Sequence, residues 1–113
     1  MPIIKVQCLP NLSEEYLQNL HRDIVRAVTS IPELGLKDET EMTCLFIPDM
    51  MEYGLGNEII VEICGLFDKP ERTEEVRQLL ACKVGNVVKA HFPRAKVECF
   101  VYSFNPTQGF WTS

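Results

Sequence analysis

The chain contains the same strand–helix–strand pattern twice. Runs of β-branched apolar residues predict strands at IIKVQC, residues 3–8, and at IIVEIC, residues 59–64. After each run comes a helical segment and then another apolar strand, so that MTCLFI at 42–47 aligns with VECFVY at 97–102. A repeat of this kind predicts one fold built from two related halves.

The halves span about residues 2–48 and 58–104, and a short tail follows at 105–113. A chain of 113 residues is long enough for one domain with a single core. The segment 49–57, DMMEYGLGN, is predicted to be a loop or hairpin-like excursion that joins the halves, with Met50 and Met51 at an oligomer interface.

Both helical segments have a recognisable start and end. The first is predicted to begin after the N-cap Ser13 and to end near Ser30, and the second to run from about Thr73 to Phe92. Because a right-handed crossover makes the two strands of each half parallel, both helices cover one face of a single sheet. The predicted class is therefore α/β (α+β), with a four-stranded mixed sheet and two helices on one face.

That arrangement leaves the second face of the sheet uncovered. The strands are apolar at nearly every position, and IIVEI at 59–63 shows little alternation, as expected for strands that are covered on both sides. The simplest cover is another copy of the same sheet, so we predict a closed homo-oligomer.

The five cysteines are an odd number and form no C-x-x-C pair, which predicts reduced thiols rather than a disulfide framework. Aligning the halves pairs Cys8 with Cys64 and Cys44 with Cys99. Repeated strand positions of this kind favour core packing over a metal site or redox chemistry.

A net charge of −5 and a pI of about 5.0 argue against nucleic acid or an anionic membrane as a partner. No apolar stretch reaches transmembrane length, and no charged segment precedes a hydrophobic one as in a secretion signal. We therefore expect a soluble, cytoplasmic protein.

Pro2 stands directly before the first predicted strand. Removal of Met1, which is usual before a small residue, would leave Pro2 as a secondary amine fixed on the end of a rigid strand. An α-amino group titrates nearer neutrality than lysine does, so it could act as a base or nucleophile. The simpler alternative is that Met-Pro is only a start that suits processing.

Three short stretches carry a resemblance to the tautomerase superfamily, and the resemblance covers essentially the whole chain. FIPD at 46–49 and GFW at 109–111 resemble segments of the branch that contains macrophage migration inhibitory factor. ERTEE at 71–75 resembles the helix start of the 4-oxalocrotonate tautomerases, with its glycine replaced. The resemblance implies β-α-β units around an N-terminal catalytic proline, a homotrimer, and chemistry without a metal or organic cofactor.

The resemblance also implies roles for single residues. Pro2 matches the catalytic proline, Lys37 matches a substrate-contacting lysine, Arg72 matches a carboxylate-binding arginine, and Cys64 stands at a pocket position. Alone, Lys37 would be a solvated loop lysine and Arg72 a surface arginine in the first turn of a helix. A cation before a helix start is, however, a suitable anion site.

Two positions depart from the pattern, because Glu98 and Phe100 stand where the family has polar substrate contacts. Glu98 is either a solvated strand carboxylate or a partner of Lys37 or of a water molecule. Phe110 and Trp111 are either a pocket wall near a subunit boundary or a docked tail.

The resemblance predicts a tautomerase or isomerase that acts on a small keto/enol or unsaturated carboxylic acid. A decarboxylase or hydratase on the same scaffold is one alternative, and a non-enzymatic trimeric binding or structural protein is the other.

Overall fold

In the computed structural model, residues 1–49 and 57–113 are described. The predicted junction at 49–57 and its Met50 and Met51 therefore lie almost wholly outside the described residues. Within the described ranges there are four strands and two α-helices, in this order: β1 (Ile3–Leu9), α1 (Glu14–Thr29), β2 (Thr43–Pro48), β3 (Glu58–Phe67), α2 (Glu74–His91) and β4 (Lys96–Phe104).

Local signals set the ends of both helices, as the sequence predicts. The Ser13 hydroxyl accepts a hydrogen bond from the Tyr16 backbone N–H, and the Thr73 hydroxyl accepts one from that of Val76, so each helix starts at a capping side chain. Between α1 and β2 the chain forms two single 3₁₀ turns, Pro32–Leu34 and Glu39–Glu41.

The strand order is β2-β1-β3-β4. Within each half the two strands are parallel, and the central pair β1 and β3 is antiparallel. This is the predicted mixed sheet. It follows from the β-α-β crossovers, because each crossover returns the chain to the same edge in the same direction.

The core lies between the helices and one face of the sheet. The side chains that are at most 2% exposed come from both halves and include Ile4, Val6, Leu20, Ile24, Val28, Val61, Ile63, Leu80, Val84 and Val88. The three from α1 and the three from α2 fall at matching, four-residue spacings, which is the stripe of an amphipathic helix packed on a sheet.

The other face of the sheet, which we call the open face, is less apolar than we predicted. Burial alternates along β1 and β3, so Lys5, Gln7 and Glu62 lie on the open face, where the Gln7 amide donates a hydrogen bond to the Glu62 carboxylate. Leu45 and Phe100 lie there too, each 42% exposed. The open face is therefore a mixed surface rather than the continuous apolar one expected.

The strand registers also correct our alignment of the two halves by one residue. Ile4 pairs with Cys44, and Val61 pairs with Cys99. When Cys44 is superimposed on Cys99, Ile4 therefore falls on Val61 and Cys8 falls on Gly65.

The backbone supports this shifted alignment. Cys8 and Gly65 have φ of 66° and 67°, and each lies where the strand register shifts. Pairing Cys8 with Cys64 was wrong, because side chains alternate and a shift of one residue moves a side chain to the other face. The pairing of Cys44 with Cys99 is confirmed. The central strands pair Ile4 with Ile63 and Val6 with Val61. The approximate two-fold axis between the halves therefore carries Ile4 onto Val61, and with it Cys44 onto Cys99.

Candidate active site

Sheet topology decides what surrounds the N-terminus. Because β1 is parallel to β2 and antiparallel to β3, the start of β1 lies beside the start of β2 and the end of β3. Pro2 is buried there, and its carbonyl oxygen accepts a hydrogen bond of 2.9 Å from the Thr43 N–H. Its nitrogen is therefore held on a backbone fixed by the sheet.

Pro2 lines a cavity of about 310 Å³. One wall is the connector before β2, and the other is the end of β3 with the segment that follows it. Besides the N-terminus, its lining includes Leu36, Thr40, Glu41, Gly65, Lys69 and Arg72.

Arg72 is in this cavity, as predicted, but it is not a surface side chain. It is only 7% exposed, and burial lowers the pKa of its guanidinium. Its two terminal nitrogens donate to the carbonyl oxygens of Phe67, at 2.9 Å, and Leu34, at 2.7 Å. Nε is buried and has no hydrogen-bond partner among the described residues.

Lys69 and Glu41 bring a further cation and a carboxylate to the Pro2 cavity, and sequence reasoning missed both. A topological signal was available for each. Lys69 comes just after a strand that runs antiparallel to β1, and Glu41 comes just before a strand that runs parallel to it, so both are carried towards the start of β1.

Lys37 does not line the Pro2 cavity. Its side chain is exposed and borders a separate hollow beside α1, together with His21, Arg26 and Glu39. A contact between Lys37 and a substrate at Pro2 therefore stays a prediction, one that would need a neighbouring subunit or a rearranged connector.

Cys64 pairs with Ile3 across the central strands, so it lies on the open face close to the level of Pro2. Glu98 is far from that level. Ile60 on β3 pairs with Gln7 on one side and with Glu98 on the other. Glu98 is therefore level with the end of β1 opposite to Pro2, and β3 lies between them. There it lies 3.6 Å from the Lys96 ammonium.

Phe100 lies between these two levels, because it pairs with Glu62, the partner of Lys5. Within one chain, then, the structure does not bring Glu98 or Phe100 to Pro2.

The tail folds back beside the cavity. Phe110 makes an edge-to-face contact with Phe67, with the ring centroids 4.9 Å apart, and Phe67 is a lining residue. Trp111 is 84% exposed and does not line the cavity.

No family model matches the sequence, and no curated protein matches it. Solved structures do. A fused 4-OT, a wild-type asymmetric trimer, is similar with a TM-score of 0.74 at 13% identity, over 96% of this chain and 91% of that chain. MIF2 of Leishmania major is similar with a TM-score of 0.68 at 14% identity, over 100% of this chain and 95% of that chain. A malonate semialdehyde decarboxylase inhibited by 3-bromopropiolate is similar with a TM-score of 0.63 at 14% identity, over 98% of this chain and 89% of that chain.

The chain has the two-repeat fold of the tautomerase superfamily. The fold class predicted from the sequence is thereby confirmed, and the predicted resemblance holds at the level of the fold. Identities this low show the fold and leave the roles of single residues open.

Two further properties of the described residues bear on the site. No group of three or more His, Cys, Asp or Glu side chains is placed to hold a metal ion in the part of the chain that the structure describes. Neither α1 nor α2 is long and apolar enough to cross a membrane.

Proposed function

We propose that this protein is a cofactor-independent tautomerase that acts on a small keto/enol or unsaturated carboxylic acid, with Pro2 as the general base. The observation that carries the proposal is the position of Pro2, buried at the start of β1 in a cavity that also holds Lys69 and Arg72. A base beside cationic groups in a partly enclosed space is the minimum that proton transfer α to a carbonyl requires.

The chemistry depends on the state of the N-terminus. While Met1 is attached, the Pro2 nitrogen is an amide and is not basic. After its removal, the secondary amine can take a proton from the carbon α to the substrate's carbonyl. Nearby cations stabilise the negative charge of the enolate, and the ammonium returns the proton at the other end of the conjugated system. A neighbouring cation favours the neutral form of the amine, whereas the Glu41 carboxylate that lines the same cavity favours the ammonium.

The test is keto–enol conversion of phenylenolpyruvate and 2-hydroxymuconate by untagged protein whose intact mass shows that Met1 is absent. Pro2→Ala, also free of Met1, should reduce kcat/KM by about 100-fold or more, because the secondary amine held in a rigid ring is replaced by a freely rotating primary amine while both cations remain. Equal rates for the two proteins would contradict the proposal. No turnover in either would favour the alternative that this is a binding protein.

One observation favours a second function, a hydratase or decarboxylase reaction. Glu41 is the carboxylate in the Pro2 cavity, in the place where sequence reasoning expected Glu98. Such a carboxylate can take a proton from water, so that the hydroxide adds to the β-carbon of an unsaturated acid while the Pro2 ammonium protonates the α-carbon.

The two functions need opposite protonation states of Pro2, so a pH–rate profile separates them. A tautomerase with a neutral amine gains activity as the pH rises through the pKa of the amine. A hydratase with an ammonium loses activity over the same range. Glu41→Gln should abolish hydration and leave enolisation largely intact.

We further propose that the protein is a homotrimer whose subunits pack against the open faces of the sheets. Support comes from the half-buried apolar side chains on that face and from similar structures that are trimers. Glu98, Phe100 and Trp111 would then reach a substrate across a subunit boundary, and so would Lys37 unless its connector rearranges. Cys64 lies close to the level of Pro2 within the same chain.

A further inference from the structure

The position of Arg72 raises a difficulty for its predicted role. It joins the two walls of the cavity, because Leu34 ends the 3₁₀ turn that leads into the first wall and Phe67 ends β3 in the second. Both terminal nitrogens are engaged by main-chain carbonyls at ordinary hydrogen-bond distances. The guanidinium has further N–H groups, including that of the unpartnered Nε, but Nε is buried, and turning both terminal nitrogens towards a carboxylate would release one wall.

Arg72 is also tied into the start of α2. Its own carbonyl oxygen accepts a hydrogen bond of 2.7 Å from the Arg77 guanidinium, and Thr73, the next residue, is the N-cap. Its backbone and side chain are therefore both engaged by the fold. These contacts are those of a residue that sets the shape of the cavity.

Lys69 is placed differently. Its side chain is exposed, it lines the cavity, and it forms no ion pair within 4.0 Å among residues 1–49 and 57–113. An ammonium on a flexible stem can move to a ligand without breaking a contact of the fold. Among the described residues that line the cavity, Lys69 and Arg72 are the side-chain cations, and Lys69 is the one that can move in this way.

We propose that Lys69 binds the carboxylate of the substrate and that Arg72 is a positioning residue that holds the two cavity walls together. This deepens the proposed function and rests on it. The family resemblance implies that Arg72 binds the carboxylate and implies no role for Lys69, so this assignment differs from the one that the resemblance implies.

The experiment compares the binding of phenylpyruvate and of its neutral amide by isothermal titration calorimetry, using protein without Met1. Lys69→Gln should weaken phenylpyruvate binding about tenfold, because one charge-assisted contact is lost, and should change amide binding less than about twofold. The matched control is Lys83→Gln, a lysine on α2 outside the cavity whose ammonium bonds the Ser30 hydroxyl. It should bind both ligands as the wild type does.

Arg72→Lys keeps the charge but cannot bridge two carbonyls. It should lower the Tm and weaken acid and amide by similar factors, since the shape of the cavity changes and the anion contact does not. The proposal is overturned if Lys69→Gln binds phenylpyruvate as tightly as Lys83→Gln does. It is also overturned if Arg72→Lys keeps its Tm and loses its preference for the acid, or if the wild type shows no preference between the two ligands.

These outcomes are separate from a failure of the proposed function, because they are equilibrium affinities. The Pro2→Ala variant keeps both cations and has a primary amine in place of the secondary one, so binding can be measured in it as well. If turnover is unaffected in that variant, the proline ring is not needed for the reaction. The affinities still decide which cation meets the carboxylate.

Discussion

At the scale of the residue, Gly65 shows how closely the chain approaches the N-terminus. It has a φ of +67°, and a Cβ added there would lie 3.1 Å from the Met1 carbonyl oxygen. Gly35 has nearly the same φ, +68°, and nothing within 4 Å. Comparing Gly35 with Gly65 therefore separates two effects, because both have the same backbone strain and only Gly65 has a close contact.

We therefore predict that Gly35→Ala costs about 1 kcal/mol of unfolding free energy and that Gly65→Ala costs more. The excess should shrink in protein from which Met1 has been removed, since the contacting carbonyl is then absent. Urea unfolding of both variants, with and without Met1, measures this. If the two variants are equally destabilised while Met1 is present, the close contact has no energetic effect.

Thiol chemistry provides another prediction at this scale. Burial raises the pKa of Cys44 to about 11 and that of Cys99 to about 12, whereas Cys82 is exposed. At pH 8, Ellman's reagent should label Cys82 first and leave Cys44 and Cys99 unmodified until the protein unfolds, because the thiolate is the reactive form. If the fast phase of labelling disappears in Cys82→Ser, that phase belongs to Cys82. Rapid labelling of Cys99 in the folded protein would contradict the packing described.

At the scale of the element, α1 and α2 are linked at one end by polar contacts. The Tyr16 hydroxyl donates to the His91 carbonyl oxygen at 2.8 Å, and His91 Nε2 lies 2.8 Å from Asp23 Oδ2. The hydrogen bond with His91 and the nearby Arg22 hold the pKa of Asp23 below its usual value. The folded state therefore favours the charged carboxylate.

Because the pKa of Asp23 is lowered on folding, its contribution is fully present above the ordinary value of about 3.9 and is lost as the pH falls through the folded value. Asp23→Asn should thus lower the Tm at pH 7. The loss of unfolding free energy should be no more than about 1 kcal/mol, because the His91–Asp23 pair is only partly buried and water screens it. The difference in Tm between the wild type and Asp23→Asn should disappear below about pH 4. Thermal unfolding followed by circular dichroism from pH 7 to pH 3 measures it. A difference that stays constant over that range would mean that the carboxylate charge is not involved.

Elements were also the level at which sequence reasoning was most successful. The caps at Ser13 and Thr73 and the apolar spacing of both helices are local signals, and the ends of both helices follow them closely. The alignment of Cys8 with Cys64 failed by one residue because it followed the letters shared by residues 3–8 and 59–64, whereas the pairing with β2 and β4 sets the true correspondence.

At the scale of the whole molecule, the proposed trimer can be tested with two leucines of equal exposure. Leu45 on β2 faces the open side of the sheet, Leu79 is on α2, and each is 42% exposed. If the open face is the subunit interface, Leu45→Glu should shift the protein from trimer to monomer, since it introduces a charge into a buried contact. Leu79→Glu should leave the assembly unchanged.

Sedimentation velocity at micromolar and submicromolar concentrations distinguishes these states. If Leu79→Glu dissociates the protein and Leu45→Glu does not, the subunit interface is on the helical side of the sheet. A stable monomeric wild type would contradict the proposed assembly itself.

The sequence by itself determined the repeated strand–helix–strand pattern, the helix ends, the mixed sheet and the place of Pro2 at the start of a strand. These depend on periodicity, capping and the handedness of crossovers, which act over short stretches of chain. Only the tertiary structure decided that Lys69 and Glu41 line the same cavity as Pro2, that Arg72 joins two walls, and that Glu98 lies elsewhere. Those outcomes depend on the register of strands far apart in sequence, and packing of the whole core sets that register.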